Sequence, residues 1–540
     1  MAGIEPADLA FAADGTPRSP RYDDVYHSAD SGPGQARHVF LGGNGLPERW
    51  SGRRAFTILE LGFGLGVNFL TTWKLWRETS DRPAQLHYVA IDRHPPRRED
   101  LAAALAGYDG LRELARALVD RFPPPLAGTH ARTFDDGHVL LTLVFDDVGP
   151  ALRKLDASAD AIFLDGFAPS RNPEMWSAAV LRGVALHAKP GATCATWSTA
   201  RAVREALGEA GFVVERRDGF GAKREMLAGR HEPRGRTRAV EDPALRQERH
   251  AIVIGAGLAG SAAAAHLAMR GWRITLVDAA SAPASGASSL HAGTFHPVVT
   301  RDDSLLARLS RAAFLHALDQ WHELARRGHA IAWDRCGVLQ LIRRHVDDDI
   351  VREAVEAQGW PASYVEAIDA LEGSKRAALA VERPGAWFPA AGWARASTIV
   401  AAGVREAMRD PASCFVGDCR IASLERIDER WIARDDRGAS VAEAPVVVLA
   451  NAGDLARLSP IGAPLASVRG QVSYLPATAV DAPRAVVIGH GFVLPQVDGI
   501  VVVGSSYEMG STERDETLLA HEGNLARLRG LSPSLRVDVA

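Results

Sequence analysis

The stretch Ile58–Phe69, "ILELGFGLGVNF", decides the fold of the first half of the chain. It combines an apolar strand, a turn with glycines at 62, 64 and 66, and the start of a helix. Glycines at such a turn let the backbone bend tightly and let a ligand lie against main-chain N–H groups. Apolar strands and helical segments then alternate up to Phe220, which predicts an α/β, Rossmann-like domain with helices on both faces of a parallel sheet.

Acidic side chains accompany this first glycine turn. Glu60 precedes it, Asp92 ends the next strand beside the expected ribose hydroxyls, and Asp147 follows a later strand within reach of an adenine amino group. A carboxylate at Glu60 suits a cationic ligand and is awkward beside a pyrophosphate, so S-adenosylmethionine fits better than NAD. An NAD-type fold or a purely structural turn is the alternative. The predicted donor-binding residues are Glu60, Gly62, Gly64, Gly66, Asn68, Asp92 and Asp147.

A fourth strand ends at Asp165, which opens the loop "DGFAPSRNPEMW". Ligands in open α/β sheets bind beyond the carboxyl ends of the strands, where this residue stands. Methyl transfer to nitrogen needs a neutral amine, and a free alkylammonium has a pKa of roughly 10. We therefore predict that Asp165 accepts a proton from the substrate amine or orients it, with Phe167 and Pro169 shaping the pocket. The alternative is a turn acid that caps a helix.

A second glycine turn, "AIVIGAGLAG", begins at Ala251. Gly255, Gly257 and Gly260 have the spacing of a dinucleotide fingerprint, a helix of small residues follows, and the next strand ends at Asp278. This pattern predicts an adenine dinucleotide site. The small-residue run "ASGASS", which contains Ser288, favours FAD over NAD because it lets the chain approach a flavin closely.

Composition bounds the remaining possibilities. The chain has 540 residues, too many for one core, and it carries 24% charged residues with a formal net charge of −4. Its four cysteines form no Cys-x-x-Cys pair, so we predict reduced thiols in a cytoplasmic protein and no metal site. No signal peptide and no apolar stretch long enough for a membrane are found. We predict domains at 1–235 and 251–540, joined by a charged linker at 236–250.

These stretches, in this order, resemble the bifunctional tRNA 5-methylaminomethyl-2-thiouridine biosynthesis family. Its methyltransferase half is matched by "ELGFGLGVNF", "RFPPPLAGTH", "FLDGFAPSRNPEMW" and "GFGAKREMLAG". Its FAD-dependent half, which is related to glycine and D-amino-acid oxidases, is matched by "VIGAGLAG", "ASGASS", "FPAAGW", "VVVLAN" and "RGQVSYLP".

The resemblance implies two steps on the wobble uridine of tRNA. The FAD half removes carboxymethyl from 5-carboxymethylaminomethyl-2-thiouridine, and the other half methylates the resulting 5-aminomethyl group from S-adenosylmethionine. It also implies contacts from Lys223 and Arg224 to tRNA phosphates, an arginine such as Arg469 near the substrate carboxylate, and stacking of the base on Trp393. A solvated charged surface and an aromatic core cluster are the respective alternatives for the basic residues and for Trp393. We expect a monomer that binds tRNA but neither DNA nor a membrane.

The chain also departs from the family pattern. Ser289, His291, His296 and Phe492 stand where the resemblance implies Asn, Gln, Tyr and Tyr. The family continues beyond the closing "LSPSLRVDVA" with a glycine-rich segment that covers the flavin, so weakened flavin retention is expected. Two other functions stay open: a small-molecule amine or amino-acid oxidase fused to an unrelated methyltransferase, and a methyltransferase with a vestigial flavin domain.

Overall fold

The computed structural model divides the chain into two compact units, Met1–Arg246 and Gln247–Ala540. It describes residues 4–28, 31–233, 248–342, 348–459, 461–462, 464–532 and 535. The division falls inside the predicted linker at 236–250, most of which lies outside the described residues.

The first unit is built on one eight-stranded sheet. In chain order the central strand comes first, the next three strands lie on one side of it, and the last four lie on the other side. In spatial order the strands are Phe212–Asp218, Glu225–His231, Ala188–Thr196, Ala159–Leu164, Ala55–Leu61, Gln85–Asp92, Val139–Phe145 and Gly128–Phe134.

Apolar side chains cover both faces of this sheet, as expected for central parallel strands. Along Ala55–Leu61, Phe56 and Ile58 enter one core cluster, while Leu59 and Leu61 enter the cluster on the opposite face. The longer helices that supply the layers are Val67–Glu78, Arg98–Leu105, Arg112–Arg121, Val148–Lys154, Ala178–Leu186 and Arg201–Glu209.

The α/β prediction is confirmed, but the sheet is not wholly parallel. Gly128–Phe134 pairs antiparallel with Val139–Phe145, and Glu225–His231 runs antiparallel to both of its neighbours. Neither strand stands out in the sequence: "GTHARTF" is polar and occupies a sheet edge, and "EMLAGRH" has a short apolar run interrupted by glycine.

The N-terminal residues form short elements ahead of the main sheet. The strands Ala10–Phe11, Pro17–Ser19 and Asp24–Val25 make a small sheet, and helical turns occupy Gly32–Gln35, Ala36–Leu41, Gly42–Asn44 and Glu48–Trp50. This agrees with the irregular structure that the Gly-, Pro- and Asp-rich composition predicts.

The second unit contains a parallel four-stranded sheet and a larger mixed sheet. The parallel strands are, in spatial order, Cys414–Val416, Arg273–Val277, His250–Ile254 and Val446–Leu449. The seven-stranded sheet has the order Glu366–Ile368, Gly385–Phe388, Val338–Leu341, Val486–Ile488, Phe492–Val493, Ile500–Gly504 and Val472–Pro476.

Smaller sheets and helices complete this unit. One three-stranded sheet contains Gly293–Phe295, Gly392–Ala394 and Trp333–Asp334. A second contains Ile421–Ile427, Arg430–Asp435 and Ser440–Ala444. A two-stranded sheet pairs Val468–Arg469 with Glu508–Met509. The helices are Leu258–Ala268, Leu305–Arg326, Asp348–Gln358, Ala370–Ala377, Ala396–Ala407, Leu455–Leu458 and Leu518–Arg529.

The described residues contain neither a membrane-spanning helix nor a metal-binding cluster. No helix among them has both the length and the apolar character to cross a membrane. No cluster of three or more His, Cys, Asp or Glu side chains in that part of the chain is arranged to hold a metal ion.

Candidate functional sites

The first site lies where the chain changes direction across the main sheet. Ala55–Leu61 and Ala159–Leu164 are parallel neighbours, with Leu61 opposite Leu164, so Gly62 and Asp165 leave the sheet side by side. A Cβ atom at Gly62 would stand 1.8 Å from the Asp165 carbonyl oxygen. Only glycine fits there, and the close approach places the glycine turn against the "DGFAP" loop at the switch point of the sheet, where open α/β sheets bind their ligands.

Left-handed backbone shapes the glycine turn. Gly62, Gly64 and Gly66 have φ values of +86°, +53° and +70°, which glycine adopts without steric cost. Asp92 stabilises the turn, because its carboxylate accepts a hydrogen bond from the Gly64 N–H at 2.8 Å and another from the His94 N–H at 2.8 Å. Asp92 therefore organises the turn.

A cavity of about 330 Å³ opens over this turn. Most of the residues predicted to bind donor or substrate line it, while Glu60, Gly66, Pro169 and Arg224 are not among its wall residues. The predicted residues that do line the cavity are Gly62, Gly64, Asn68, Asp92, Asp147, Asp165, Phe167 and Lys223.

The Asp165 carboxyl is tuned to titrate near neutrality. It lines the cavity and is partly exposed there, and desolvation by the surrounding protein raises its pKa to about 7, even though hydrogen-bond donors at Asn68 and Trp197 favour the charged form. Asn68 Nδ2 lies 2.7 Å from Asp165 Oδ2. A carboxyl with a pKa near the working pH is suited to accept a proton.

Glu60 occupies a different place from the one its sequence position suggests. It is fully buried behind Asn68, whose Nδ2 donates to Glu60 Oε1 at 2.8 Å. Burial, and then the nearby Asp165 charge, raise the pKa of Glu60 well above its usual range. The structure thus places this carboxyl beneath the cavity wall, where a ligand in the cavity reaches Asn68 first.

Asp147 lies at the opposite, exposed rim of the cavity. Its Oδ1 is 2.9 Å from the Arg93 Nη1 atom. The ion pair holds the carboxylate at the end of its strand, near the position predicted for contact with an adenine amino group.

Aromatic residues from distant parts of the chain complete the wall. Tyr22 stacks on Phe167 with ring centroids 4.6 Å apart, and Tyr26 meets Phe167 edge-on at 5.3 Å. On another side the Lys223 Nζ lies 3.3 Å from the centre of a Trp197 ring. The sequence analysis missed Tyr22, Tyr26 and Trp197. Trp197 comes directly after the strand Ala188–Thr196, and Tyr22 and Tyr26 lie in a segment without periodicity.

The second unit contains the dinucleotide turn that its sequence predicts. Gly255 has φ +103°, and a Cβ at Gly260 would stand 1.7 Å from the Gly255 carbonyl oxygen. This contact brings the helix Leu258–Ala268 against the strand His250–Ile254. The exposed start of that helix directs backbone N–H groups outward, which is the arrangement that binds pyrophosphate.

Asp278 and Ser288 border this turn. Asp278 accepts from the Ala256 N–H at 2.6 Å and from the Ala280 N–H at 2.9 Å, and the Ser288 hydroxyl accepts from the Leu258 N–H at 3.2 Å. The side-chain oxygen and nitrogen of Asn451 are buried here without a hydrogen-bond partner among the described residues. Its neighbour Ala450 packs on Gly255, so these unsatisfied atoms lie beside the glycine turn.

The other residues predicted for the flavin half have mainly internal contacts. The Arg469 side chain is buried and pairs with Glu508 at 2.6 Å, and it also donates to the Gln471 side chain and to the Asp515 carbonyl. Trp393 lies in the middle strand of a small sheet, opposite Thr294 and Asp334. The buried pairing of Arg469 with Glu508 argues against a contact between Arg469 and the substrate carboxylate.

Comparison with known proteins yields a match in each unit and across the chain. The family model for S-adenosyl-L-methionine-dependent methyltransferases matches residues 109–232, and the model for FAD dependent oxidoreductases matches 250–540. The tRNA 5-methylaminomethyl-2-thiouridine biosynthesis bifunctional protein of Cupriavidus necator is 46% identical over 98% of this chain and 82% of its own length. The protein of the same name from Azoarcus sp. is 45% identical over 99% of this chain and 84% of its own length.

The chain belongs to this bifunctional family. It is an enzyme with an S-adenosylmethionine-dependent methyltransferase unit and an FAD-dependent oxidoreductase unit. Among solved structures, glycine oxidase from Geobacillus kaustophilus is 20% identical, with a TM-score of 0.45, and the match covers 54% of this chain and 81% of that one.

Both units fit the groups that the family requires. In the methyltransferase unit, the open cavity, the left-handed glycine turn and the start of helix Val67–Glu78 suit a nucleoside-bearing donor. In the oxidoreductase unit, the contact between Gly255 and Gly260 suits a dinucleotide, and the unsatisfied Asn451 amide offers FAD both a donor and an acceptor.

Proposed function

We propose that this protein completes a modification of the tRNA wobble uridine in two steps. The oxidoreductase unit removes carboxymethyl from 5-carboxymethylaminomethyl-2-thiouridine, and the methyltransferase unit methylates the 5-aminomethyl group that results. The name that its relatives share, tRNA 5-methylaminomethyl-2-thiouridine biosynthesis bifunctional protein, supports this proposal. The observation that carries it is Asp165, a carboxyl with a pKa of about 7 at the base of the cavity beside the donor-binding turn.

In the methyl-transfer step, Asp165 receives the proton that the acceptor amine must lose. S-adenosylmethionine supplies the methyl group, and an amine can attack it only with a free lone pair. An alkylammonium has a pKa of roughly 10, so a nearby carboxylate is needed to draw off the proton or to hold an N–H and direct the lone pair. Phe167 and Tyr22 provide a flat apolar surface beside this group for the uracil ring.

In the oxidative step, the residues of the dinucleotide turn hold FAD. The bound flavin supplies a two-electron oxidation of the substrate's CH–NH bond, after which hydrolysis releases the two-carbon fragment. The backbone at Gly255 and Gly257 would face the pyrophosphate and Asp278 would face the ribose, while Ser288, which accepts from the Leu258 N–H, supports the helix start. Trp393 is retained as a candidate for stacking on the base.

Nucleoside analysis of one purified tRNA tests both steps. The substrate is tRNA that carries 5-carboxymethylaminomethyl-2-thiouridine, incubated with the full-length protein and FAD. We expect 5-aminomethyl-2-thiouridine without S-adenosylmethionine and 5-methylaminomethyl-2-thiouridine with it. An unchanged nucleoside in both reactions contradicts the proposal. Oxidation of free amino acids instead favours the small-molecule oxidase, and methylation of 5-aminomethyl tRNA without oxidation favours a vestigial flavin unit.

The methyl-transfer rate is expected to depend on pH through Asp165. Only the carboxylate accepts a proton, so kcat should fall steeply as the pH drops below about 7, the pKa to which burial raises this group. Above that value the rate should rise more gently, as more of the amine, with a pKa of roughly 10, becomes neutral. Rates on 5-aminomethyl tRNA at saturating donor measure this profile. A constant slope without a break near neutrality contradicts the role of Asp165.

We also propose that Lys223 and Arg224, on the turn between the last two strands of the first unit, contact tRNA phosphates. Lys223 lines the cavity, and the exposed Arg224 side chain forms no ion pair with any described residue. The neighbouring Arg216 and Arg217 are instead paired with Glu225 and Glu215. Arg224 can therefore contact a phosphate without breaking an existing ion pair.

Arg224→Gln is expected to raise KM for tRNA about 3- to 10-fold at moderate salt and to reduce the salt dependence of binding by about one counterion. Affinity for S-adenosylmethionine should not change. Filter binding and methyl-transfer kinetics at several salt concentrations measure both effects. The control is Arg201→Gln, an exposed arginine paired with Glu205 one turn further along the helix Arg201–Glu209. Equal salt slopes for the two variants contradict the assignment.

We further propose that the protein acts as a monomer in the cytoplasm, where tRNA substrates occur. Sedimentation of the purified protein, with and without tRNA, tests the first statement. A stable dimer at nanomolar concentration contradicts it.

A further inference from the structure

Asn68 has contacts that a donor-binding residue does not need. It follows the first residue of the helix Val67–Glu78, and it is buried, with 8% of its surface exposed. Its side-chain nitrogen lies 2.8 Å from Glu60 Oε1 and 2.7 Å from Asp165 Oδ2. A primary amide has two N–H groups, and both are used, one on each carboxyl.

These contacts connect three separate elements of the site. Glu60 comes from the central strand, Asp165 from its parallel neighbour, and Asn68 from the helix that follows the glycine turn. The left-handed turn at Gly62, Gly64 and Gly66 sets the start of that helix directly over the two strand ends. The amide therefore separates two acidic groups that would otherwise repel each other.

The contact also determines how Asp165 can act. With Oδ2 held by Asn68 and a further hydrogen-bond donor at Trp197, rotation of the carboxylate is restricted while it borders the cavity that would receive the acceptor amine. Glu60 has no access to the cavity, so it cannot replace Asp165, but it holds the other side of the amide. The restraint is valuable because small errors in the position of a reacting group are costly to rate.

We propose that Asn68 is a positioning residue for methyl transfer: it orients the Asp165 carboxylate toward the acceptor amine and is itself oriented by the buried Glu60. This inference rests on the proposed role of Asp165. It reassigns Asn68 from donor binding to alignment of the proton acceptor, and it gives Glu60 a supporting role behind it.

The test compares Asn68→Ala with Asn68→Ser, which keeps one hydrogen-bond donor. We expect Asn68→Ala to lower kcat for methyl transfer about 10- to 100-fold, with little change in affinity for S-adenosylmethionine measured by calorimetry. Asn68→Ser should recover part of the loss. A residue that only contacts the donor would instead weaken donor binding.

The second measurement is the pH profile of kcat, whose midpoint would not shift if Asn68 had a purely structural role. The Asn68 hydrogen bond favours the charged form of Asp165, so its loss should shift the lower limb of the profile to higher pH. Glu60, Tyr88 and Asp92 interact electrostatically within this site, and all three are intact in both variants. The cavity wall carries further titratable groups, among them His27, His94, Asp147 and Lys223, and these are also unchanged. Asn172→Ala is the matched control: this cavity-wall amide contacts the Met175 sulfur rather than a carboxyl, and its profile should keep the wild-type midpoint.

The outcomes separate this inference from the proposed function. Weakened donor binding with an unmoved pH midpoint overturns the positioning role while Asp165 stays essential. Full methyl transfer by Asp165→Asn overturns the role of Asp165 itself. If Asn68→Ala does not fold, Asn68→Ser becomes the test, because its hydroxyl preserves polarity but not both contacts of the amide. A wild-type kcat and a wild-type pH midpoint in Asn68→Ser overturn the inference.

Discussion

The Asp165→Asn variant is expected to lose methyl transfer by about 10²- to 10⁴-fold, the usual contribution of a positioned general base. The amide has nearly the same shape, and its oxygen can still accept the hydrogen bond from Asn68. Only the proton acceptor is removed. Oxidation belongs to the other unit, so tRNA should accumulate as the 5-aminomethyl nucleoside even when S-adenosylmethionine is present. Nucleoside analysis after a timed reaction measures the ratio of 5-aminomethyl to 5-methylaminomethyl nucleoside.

The variant should also remain folded, and thermal melting checks this. The folded-state pKa of about 7 lies above the value of roughly 3.9 for an unfolded aspartate, so the stability that protonated Asp165 contributes is lost as the pH rises through about 7. Asp165→Asn should therefore melt no lower than the wild type at a pH of about 8. Asp156→Asn, the same change at an exposed site, is the control for both measurements. Wild-type methylation by Asp165→Asn would remove this residue from the reaction.

Gly260→Ala is expected to produce the largest effect in the oxidoreductase unit. The new Cβ would stand 1.7 Å from the Gly255 carbonyl oxygen, so the helix Leu258–Ala268 must move away from the glycine turn. Overpacking of this kind costs about 1–3 kcal/mol, which corresponds to about 5- to 150-fold weaker FAD retention if the strain falls on the binding site. Flavin absorbance per protein and titration with added FAD measure the change.

A control variant and a control reaction accompany the Gly260→Ala measurement. Gly453→Ala makes the same chemical change at a glycine with open space around it, and it should retain flavin like the wild type. Methyl transfer by Gly260→Ala to tRNA that already carries 5-aminomethyl-2-thiouridine should be unaffected, since that chemistry belongs to the first unit. Normal flavin content in Gly260→Ala would show that the turn adapts and that the glycine is not required for FAD.

The local pattern of both glycine turns was readable from sequence. A strand, closely spaced glycines and a helix produce the same backbone in many surroundings, because left-handed φ values and close approaches of main chain leave few other residues possible. The turn at Gly62, Gly64 and Gly66 and the contact between Gly255 and Gly260 both follow this rule. The strand-end position of Asp165 followed from the same alternation.

Pairings between distant residues were not readable. The antiparallel strands Gly128–Phe134 and Glu225–His231 have weak periodicity and are ordered by their neighbours in the sheet. Arg469 was a reasonable partner for a substrate carboxylate by position, but the structure pairs it with Glu508. Tyr22 reaches the cavity only because the N-terminal segment packs on the "DGFAP" loop, where Asp24 accepts from the Ala168 N–H at 2.8 Å.

The sequence by itself determined that the chain has two nucleotide-binding units, which ligand each one favours, and that Asp165 lies at a strand end. The tertiary structure alone decided that Glu60 is buried, that Asn68 joins it to Asp165, and that the pKa of Asp165 is raised to about 7. The physical reason is that desolvation and hydrogen bonding depend on atoms brought together from different strands and helices, and residue order does not record those distances.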